Sequence, residues 1–173
     1  MSIEYNEDNL VEQATVDILA DIGWEIQTAW HNEIFGVNGN LGRENKSEVI
    51  LQKYLLVALE NLNPDLPQSA YKDAYFQIAG READKTLDRT NKEKYELIKS
   101  GVKVSFTNDK GELTKKTLKV FDFNNPDNNH FLAVRQLEVT GELYNRRPDV
   151  VGFVNGIPLV FFELKAHTRD LRH

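Results

Sequence analysis

The sequence predicts one domain of the α/β or α+β class, with helices first and then a mostly antiparallel β-sheet. Three observations carry this. Apolar residues recur at helical spacing through much of the first hundred residues. After Gly101 the pattern turns alternating and rich in β-branched and aromatic residues, with mostly antiparallel pairing expected. A length of 173 residues suits a single domain with a real core.

Residues 9–23, NLVEQATVDILADIG, place Leu10, Val11, Ala14, Ile18 and Ile22 on one helical stripe. Asn9 followed by Glu12 has the form of a capping box, and Gly23 is a stop signal. Residues 24–31 read as a short strand, and the glycine- and asparagine-rich FGVNGNLGREN as a loop. A second helix is expected from Ser47 to Asn63-Pro64, apolar nearly all round and therefore central. A short helix near Tyr71–Ile78 and a polar helix over 91–100 follow. The segments GVKVSFT, TLKVFDF and HFLAVRQLEVT read as strands, the first two joined by a turn at Asn108–Gly111. DVVGFV and IPLVFFELK read as a hairpin around Asn155-Gly156. There is no internal repeat and no low-complexity segment.

Composition bounds the function. Hydrophobic residues make up 40% and charged residues 28%, as in an ordinary globular protein. The absence of cysteine excludes disulfides, thiolate metal sites and a cysteine nucleophile. No signal-peptide core opens the chain and no apolar run reaches the roughly 20 residues of a membrane span, so a cytoplasmic protein without a membrane partner is expected. A net charge of −6 argues weakly against nucleic acid as partner, because any basic patch must then be local.

The string RRPDVVGFVNGIPLVFFELK carries the chemistry. Asp149 opens one strand, and Glu163 and Lys165 close the next. Residues two apart on a strand share a face, so Glu163 and Lys165 project together from a strand that is otherwise apolar. Two charges there are costly unless paired or metal-bound. With a strict two-residue loop at Asn155-Gly156, Asp149 pairs with Phe162 and faces away from Glu163. A shared site therefore demands an irregularity near Gly156–Pro158. Asp149 and Glu163 are hard oxygen ligands suited to Mg²⁺, joined by the backbone carbonyl of Leu164, and Lys165 can act on the attacking water or on phosphate charge. The bland alternative is an Asp149–Lys165 salt bridge on a solvated strand end.

This string, of the PD-(D/E)xK type, resembles the N-terminal nuclease domain of the restriction (R) subunit of type I restriction-modification enzymes. The matching residues are Arg147–Val151, Phe153–Val160 and Glu163–Lys165, supported upstream by GRENKSEVILQKYLLVALENLNP and NNPDNNHFLAVRQLEVTG. The resemblance implies the α/β restriction-endonuclease-like fold, a central mixed β-sheet flanked by α-helices, with Asp149, Glu163 and Lys165 as catalytic residues and Glu12 as a further site residue on the first helix. It implies Mg²⁺ as cofactor and double-stranded DNA as substrate. The implied partners are the methylation and specificity subunits and the motor domains of a parent chain, where ATP would bind; this chain has no GxxxxGK[ST] loop. Residues 1–173 are thus expected to form a single nuclease domain at the N-terminus of a longer, motor-containing subunit, acting as a type I site-specific deoxyribonuclease. A helical Gln/Tyr motif expected after the E-x-K lies outside the chain. Two alternatives stay open: a non-catalytic domain for docking or DNA-backbone contact, and another nuclease of the same superfamily.

Other candidates have bland counterparts. Arg146, Arg147 and His167 suit phosphate contacts or solvated surface roles. Gln136 can face the site or solvent. His31, His130 and His173 lack metal-ligand spacing. Trp24 and Trp30 read as core or interface rather than base-stacking platforms.

Overall fold

A computed structural model describes residues 7–80, 86–108, 110–141 and 144–165. Helix α1 spans Glu7–Asp21 and ends where Gly23 takes a left-handed φ of 91°. Its buried Val16 and Leu19 pack on the sheet, against Ala133 and Val150. Residues 7 and 8 are already helical, so Asn9 is not the N-cap, and Glu12 turns to Arg135 and Gln136 instead of the expected capping box with Asn9. Strand β1 follows at Glu25–Thr28.

Helix α2 spans Gln52–Leu62, not the predicted start at Ser47. Ser47 is instead held in a turn, its N–H and hydroxyl donating to Asn45 Oδ1. Leu51, just before the helix, donates its N–H to the Gly156 carbonyl at 2.8 Å. The helix is central, with Leu55 and Leu59 fully buried, although Val57 faces outward. At its end the buried Asn63 accepts from the Lys119 N–H at 2.8 Å and donates to the Lys119 carbonyl at 2.9 Å. Helices α3 (Gln68–Ala79) and α4 (Leu87–Ser100) lead to an antiparallel ribbon of β2 (Val102–Thr107) and β3 (Leu113–Leu118). The predicted strand TLKVFDF is therefore displaced: the ladder ends at Leu118, where Asn63 takes over the hydrogen bonding of Lys119.

Residues 122–129 form a loop built on Asp122, whose carboxylate accepts from the N–H groups of Asn124 and Asn125 and from the Asn128 side chain. The Asn128 bond leads in holding the Asp122 pKa below its ordinary value, aided by the Asn125 N–H against the opposing effect of burial.

The main sheet has the order β1-β4-β7-β8, with β4 at Phe131–Arg135, β7 at Val150–Val154 and β8 at Ile157–Phe162. Strand β1 runs parallel to β4 and the other pairs are antiparallel, so the sheet is mixed, as expected. The short strands β5 (Val139–Thr140) and β6 (Asn145–Arg146) pair beside it. Strand β7 is buried on both faces. Val151 and Phe153 enter a core with Leu41, Leu51 and Val134, while Val150 packs toward α1. Gly152 is required there: a Cβ would stand 2.9 Å from the Trp24 ring. Edge strand β8 leaves Phe161 60% exposed. Among the described residues no helix is long and apolar enough to cross a membrane.

The β7–β8 hairpin supplies the expected irregularity. Asn155 and Gly156, with φ of 51° and 78°, form the two-residue turn between Val154 and its partner Ile157. Phe153 then pairs with Pro158, but Gly152 pairs with Val160, leaving Leu159 as a bulge. From there Val150 lies opposite Phe162, and one further step sets Asp149 opposite Glu163. The turn is locked from both sides. The fully buried Asn155 side chain accepts from the His130 N–H and donates to the Val120 carbonyl, each at 2.8 Å.

Two predictions follow from this packing. Gly156→Ala should lose roughly 1–2 kcal/mol for its left-handed backbone alone. More is lost to contact, since the new Cβ would meet the Leu51 carbonyl at 2.6 Å; the urea midpoint measures both. Asp122→Asn should be destabilised at neutral pH. A carboxylate with a depressed folded pKa contributes above its unfolded value, so the gap to wild type should close as pH falls through and below 3.8. Denaturant titrations at stepped pH measure that gap.

Candidate active site

One end of the sheet collects the chemically useful side chains. Strands β1 and β4 finish there, β7 begins there and β8 finishes there. Asp149, half-buried at the start of β7, accepts the Leu164 N–H on Oδ2 at 2.6 Å. Among the described residues its other oxygen, Oδ1, has only the Gln136 side-chain amide at 3.4 Å. The Leu164 N–H thus orients the aspartate.

The bulge decides which face Glu163 takes. Phe162 and Leu164 pack into the core toward α1, whereas Val151, on the Asp149 face of β7, packs into the other core. Strand alternation therefore puts Glu163 and Lys165, both exposed, on the Asp149 face. Among the described residues no three Asp, Glu or His side chains already converge as a closed metal cage.

Helix α1 brings Glu12 over this end. The side chain is buried, at 6% exposure, and both oxygens are engaged. Arg135 Nε donates to Oε1 at 2.7 Å and Gln136 Nε2 to Oε2 at 2.8 Å. Gln136 also gives its backbone N–H to the Asp149 carbonyl at 2.9 Å, from a left-handed φ of 51°. These groups line a cleft of about 440 Å³ together with Thr28, Trp30, Arg147 and Leu164. The Arg147 guanidinium lies over the Trp30 ring, 3.7 Å from its centroid.

A second hollow of about 360 Å³ shares Trp30 and Gln136 with the cleft. Its wall includes Glu33, clamped by the fully buried Arg43 through bonds of 2.7 and 2.5 Å, and Lys46, which ion-pairs with Glu138. Arg146 stacks on Tyr144 at 5.3 Å, and His167 lies outside the described residues. His130 sits at the opposite end of the sheet, 2.8 Å from Glu25. Burial opposes the Glu25 charge most strongly, but hydrogen bonds from Gln27 and His130 outweigh it and lower the Glu25 pKa.

The type I restriction enzyme R protein N terminus, taken as a protein family, matches residues 4–173. The chain belongs to this family. Its relatives include the type I restriction enzyme HindI endonuclease subunit of Haemophilus influenzae, 36% identical over 164 residues, which cover 94% of this chain and 15% of the relative. Another is the "Putative type I restriction enzyme MjaIXP endonuclease subunit" of Methanocaldococcus jannaschii, 32% identical over 169 residues, covering 93% of this chain and 15% of the relative. The chain thus spans about 15% of the length of these two relatives.

Within this R-protein N terminus, sequence reasoning missed Arg135 and undervalued Trp30. Nothing in the sequence around Arg135 marks it, and its bond to Glu12 forms only because α1 delivers that carboxylate. Trp24 packs on Phe131 and Gly152, in line with a core role, while Trp30 lines the cleft under Arg147. The one available signal was position, since Trp30 closely follows a strand that ends beside the site.

Glu12→Ala should strip Arg135 of its anion. Removing one partner of a buried pair costs about 3–5 kcal/mol, and the lower end is expected because the Arg135 side chain keeps 23% exposure. Chemical denaturation measures the loss, and a change within error of zero would contradict the buried-pair assignment.

Proposed function

We propose that this chain is the nuclease domain of a type I restriction enzyme R subunit, hydrolysing phosphodiester bonds of double-stranded DNA with the help of Mg²⁺. The observation that carries the reading is the Leu159 bulge, which turns Asp149 to the face of Glu163 and Lys165 beside a cleft. A solvated salt bridge at a strand end needs no such register shift. The mixed sheet with helices against it fits the PD-(D/E)xK fold.

The residues present fit the metal. Asp149 Oδ2 is fixed by a backbone N–H, whereas Oδ1 has a single long contact and is open to a ligand role. Mg²⁺ takes one or two carboxylates, keeps several waters and shares substrate phosphate oxygens, so a closed protein cage is not needed. Asp149 and Glu163 would hold it, with the Leu164 carbonyl as a third oxygen donor. The bound ion would supply polarisation of the phosphoryl oxygen and a lowered water pKa.

The chain's own groups do the rest. Lys165 Nζ stabilises charge gathering on the phosphate or positions the attacking water. That water's oxygen bonds to phosphorus, the bridging P–O bond breaks, and a proton passes to the departing oxygen. Arg147, its guanidinium 3.7 Å from the Trp30 ring centroid, supplies N–H donors to the DNA backbone. Family membership supports a complex with other subunits and DNA; in this reading sequence choice falls to the specificity subunit and translocation to ATP-driven motor domains of the parent protein.

Asp149→Ala and Lys165→Ala in the assembled restriction enzyme should each lower DNA cleavage by at least about 100-fold, as loss of a positioned catalytic group does. ATP hydrolysis, read in parallel, should persist. Wild-type cleavage in both variants would sink the nuclease reading and favour a docking role.

A further inference from the structure

Gln136 stands one residue beyond β4 with φ at 51°. Glutamine disfavours this left-handed region, and such conformations persist where surrounding contacts over-determine them. The contacts are present. The backbone N–H is fixed on the Asp149 carbonyl at 2.9 Å, and the side-chain amide reaches Glu12 at 2.8 Å and Asp149 Oδ1 at 3.4 Å. One residue therefore touches Asp149 twice and joins it to a buried carboxylate that Arg135 already holds.

Glu12 is placed to anchor this arrangement rather than to reach the reacting atoms, because each of its oxygens carries a hydrogen bond. The amide of Gln136 is the only side-chain donor described on Asp149, and it sits on the oxygen left open by Leu164. The geometry points to Gln136 as a positioning residue: Arg135 fixes Glu12, Glu12 fixes the Gln136 amide, and the amide aims Asp149 Oδ1 at the metal position. This deepens the metal-nuclease reading above and rests on it.

Glycine accepts a φ of 51° without strain, so Gln136→Gly keeps the backbone and deletes only the amide. Groups that orient metal ligands from behind typically control metal affinity by 10–100-fold. Mn²⁺ binding to the protein, followed by electron paramagnetic resonance, should weaken roughly tenfold or more in Gln136→Gly. In the assembled enzyme the Mn²⁺ concentration for half-maximal cleavage should rise by the same factor. The maximal rate at saturating Mn²⁺ should stay within a few-fold of wild type, and urea unfolding should stay cooperative, with a midpoint lowered by the loss of the bond to Glu12. Gln136→Asn, which also tolerates a left-handed backbone, is the second variant and should lose less affinity than glycine.

Wild-type Mn²⁺ affinity in both variants overturns the proposal. So does a lowered maximal rate at saturating Mn²⁺ with unchanged affinity, because that pattern marks contact with the reacting atoms. Failure of the underlying reading looks different. Wild-type protein that binds no Mn²⁺, or Asp149→Ala that binds it normally, removes the metal site itself and this inference with it.

Discussion

Two fixed points set the register between β7 and β8: the Asn155-Gly156 turn and the unpaired Leu159. The turn admits no slack. Asn155 fastens it to His130 and Val120, while the Gly156 carbonyl accepts the Leu51 N–H at the start of α2. A strand slip of one residue exchanges faces, so a single unpaired residue moves Glu163 from the side of α1 to the side of Asp149. The apolar packing agrees with the shifted register, since Phe162 joins the α1-facing core alongside Val150, its partner across the strands. Turn chemistry and core burial therefore enforce the same alignment from opposite ends of the hairpin.

Polar groups behind the cleft follow a related logic. Glu12, Arg135 and Gln136 form a chain in which each side chain fixes the next. Arg43 does the same for the outer wall, gripping Glu33 with two bonds and the carbonyls of Glu48 and Glu138 with two more, both at 3.1 Å. Buried ion pairs add little net stability against well-packed apolar residues, because desolvation consumes most of the attraction. Their benefit here is directional, since they hold loops and carboxylates in one arrangement beside a surface cleft.

Much of this was legible in the sequence because the signals are local. Asn155-Gly156 between apolar runs announces a hairpin, and the parity of Asp149 against Glu163 demands an odd step within it. The positions of the helices and the strand-rich second half follow from periodicity, although α1 buries Val16 and Leu19 and leaves Ile18 and Ile22 of the expected stripe exposed. The misreadings arose where tertiary contacts displaced local preference. The capping pattern of Asn9 and Glu12 lost to a helix that starts at Glu7 and aims Glu12 inward. Ser47 offered a plausible cap, yet Leu51 is held by the distant Gly156, so α2 begins after it. TLKVFDF alternates well enough for a strand, but Asn63 and the Asp122 loop take its backbone elsewhere. Arg135 was silent for the same reason, because its partner lies 123 positions away.

The charge balance now reads differently from its sum. A net −6 suggested a poor match for a polyanion. At the cleft, however, Glu12 faces inward and is neutralised by Arg135, and Asp149 turns one oxygen to a backbone N–H. The cations stand farther out: Lys165 is exposed and Arg147 lies on Trp30 at the rim. Glu12 and one oxygen of Asp149 are thus committed, whereas Glu163, Lys165 and Arg147 are exposed. On the nuclease reading proposed above, the exposed Lys165 and Arg147 would meet phosphate while Asp149 and Glu163 would meet the metal. Asp149 Oδ1, held among the described residues by one contact of 3.4 Å, is the looser oxygen of that aspartate, and a cation there would offset the repulsion between the two carboxylates and a polyanion.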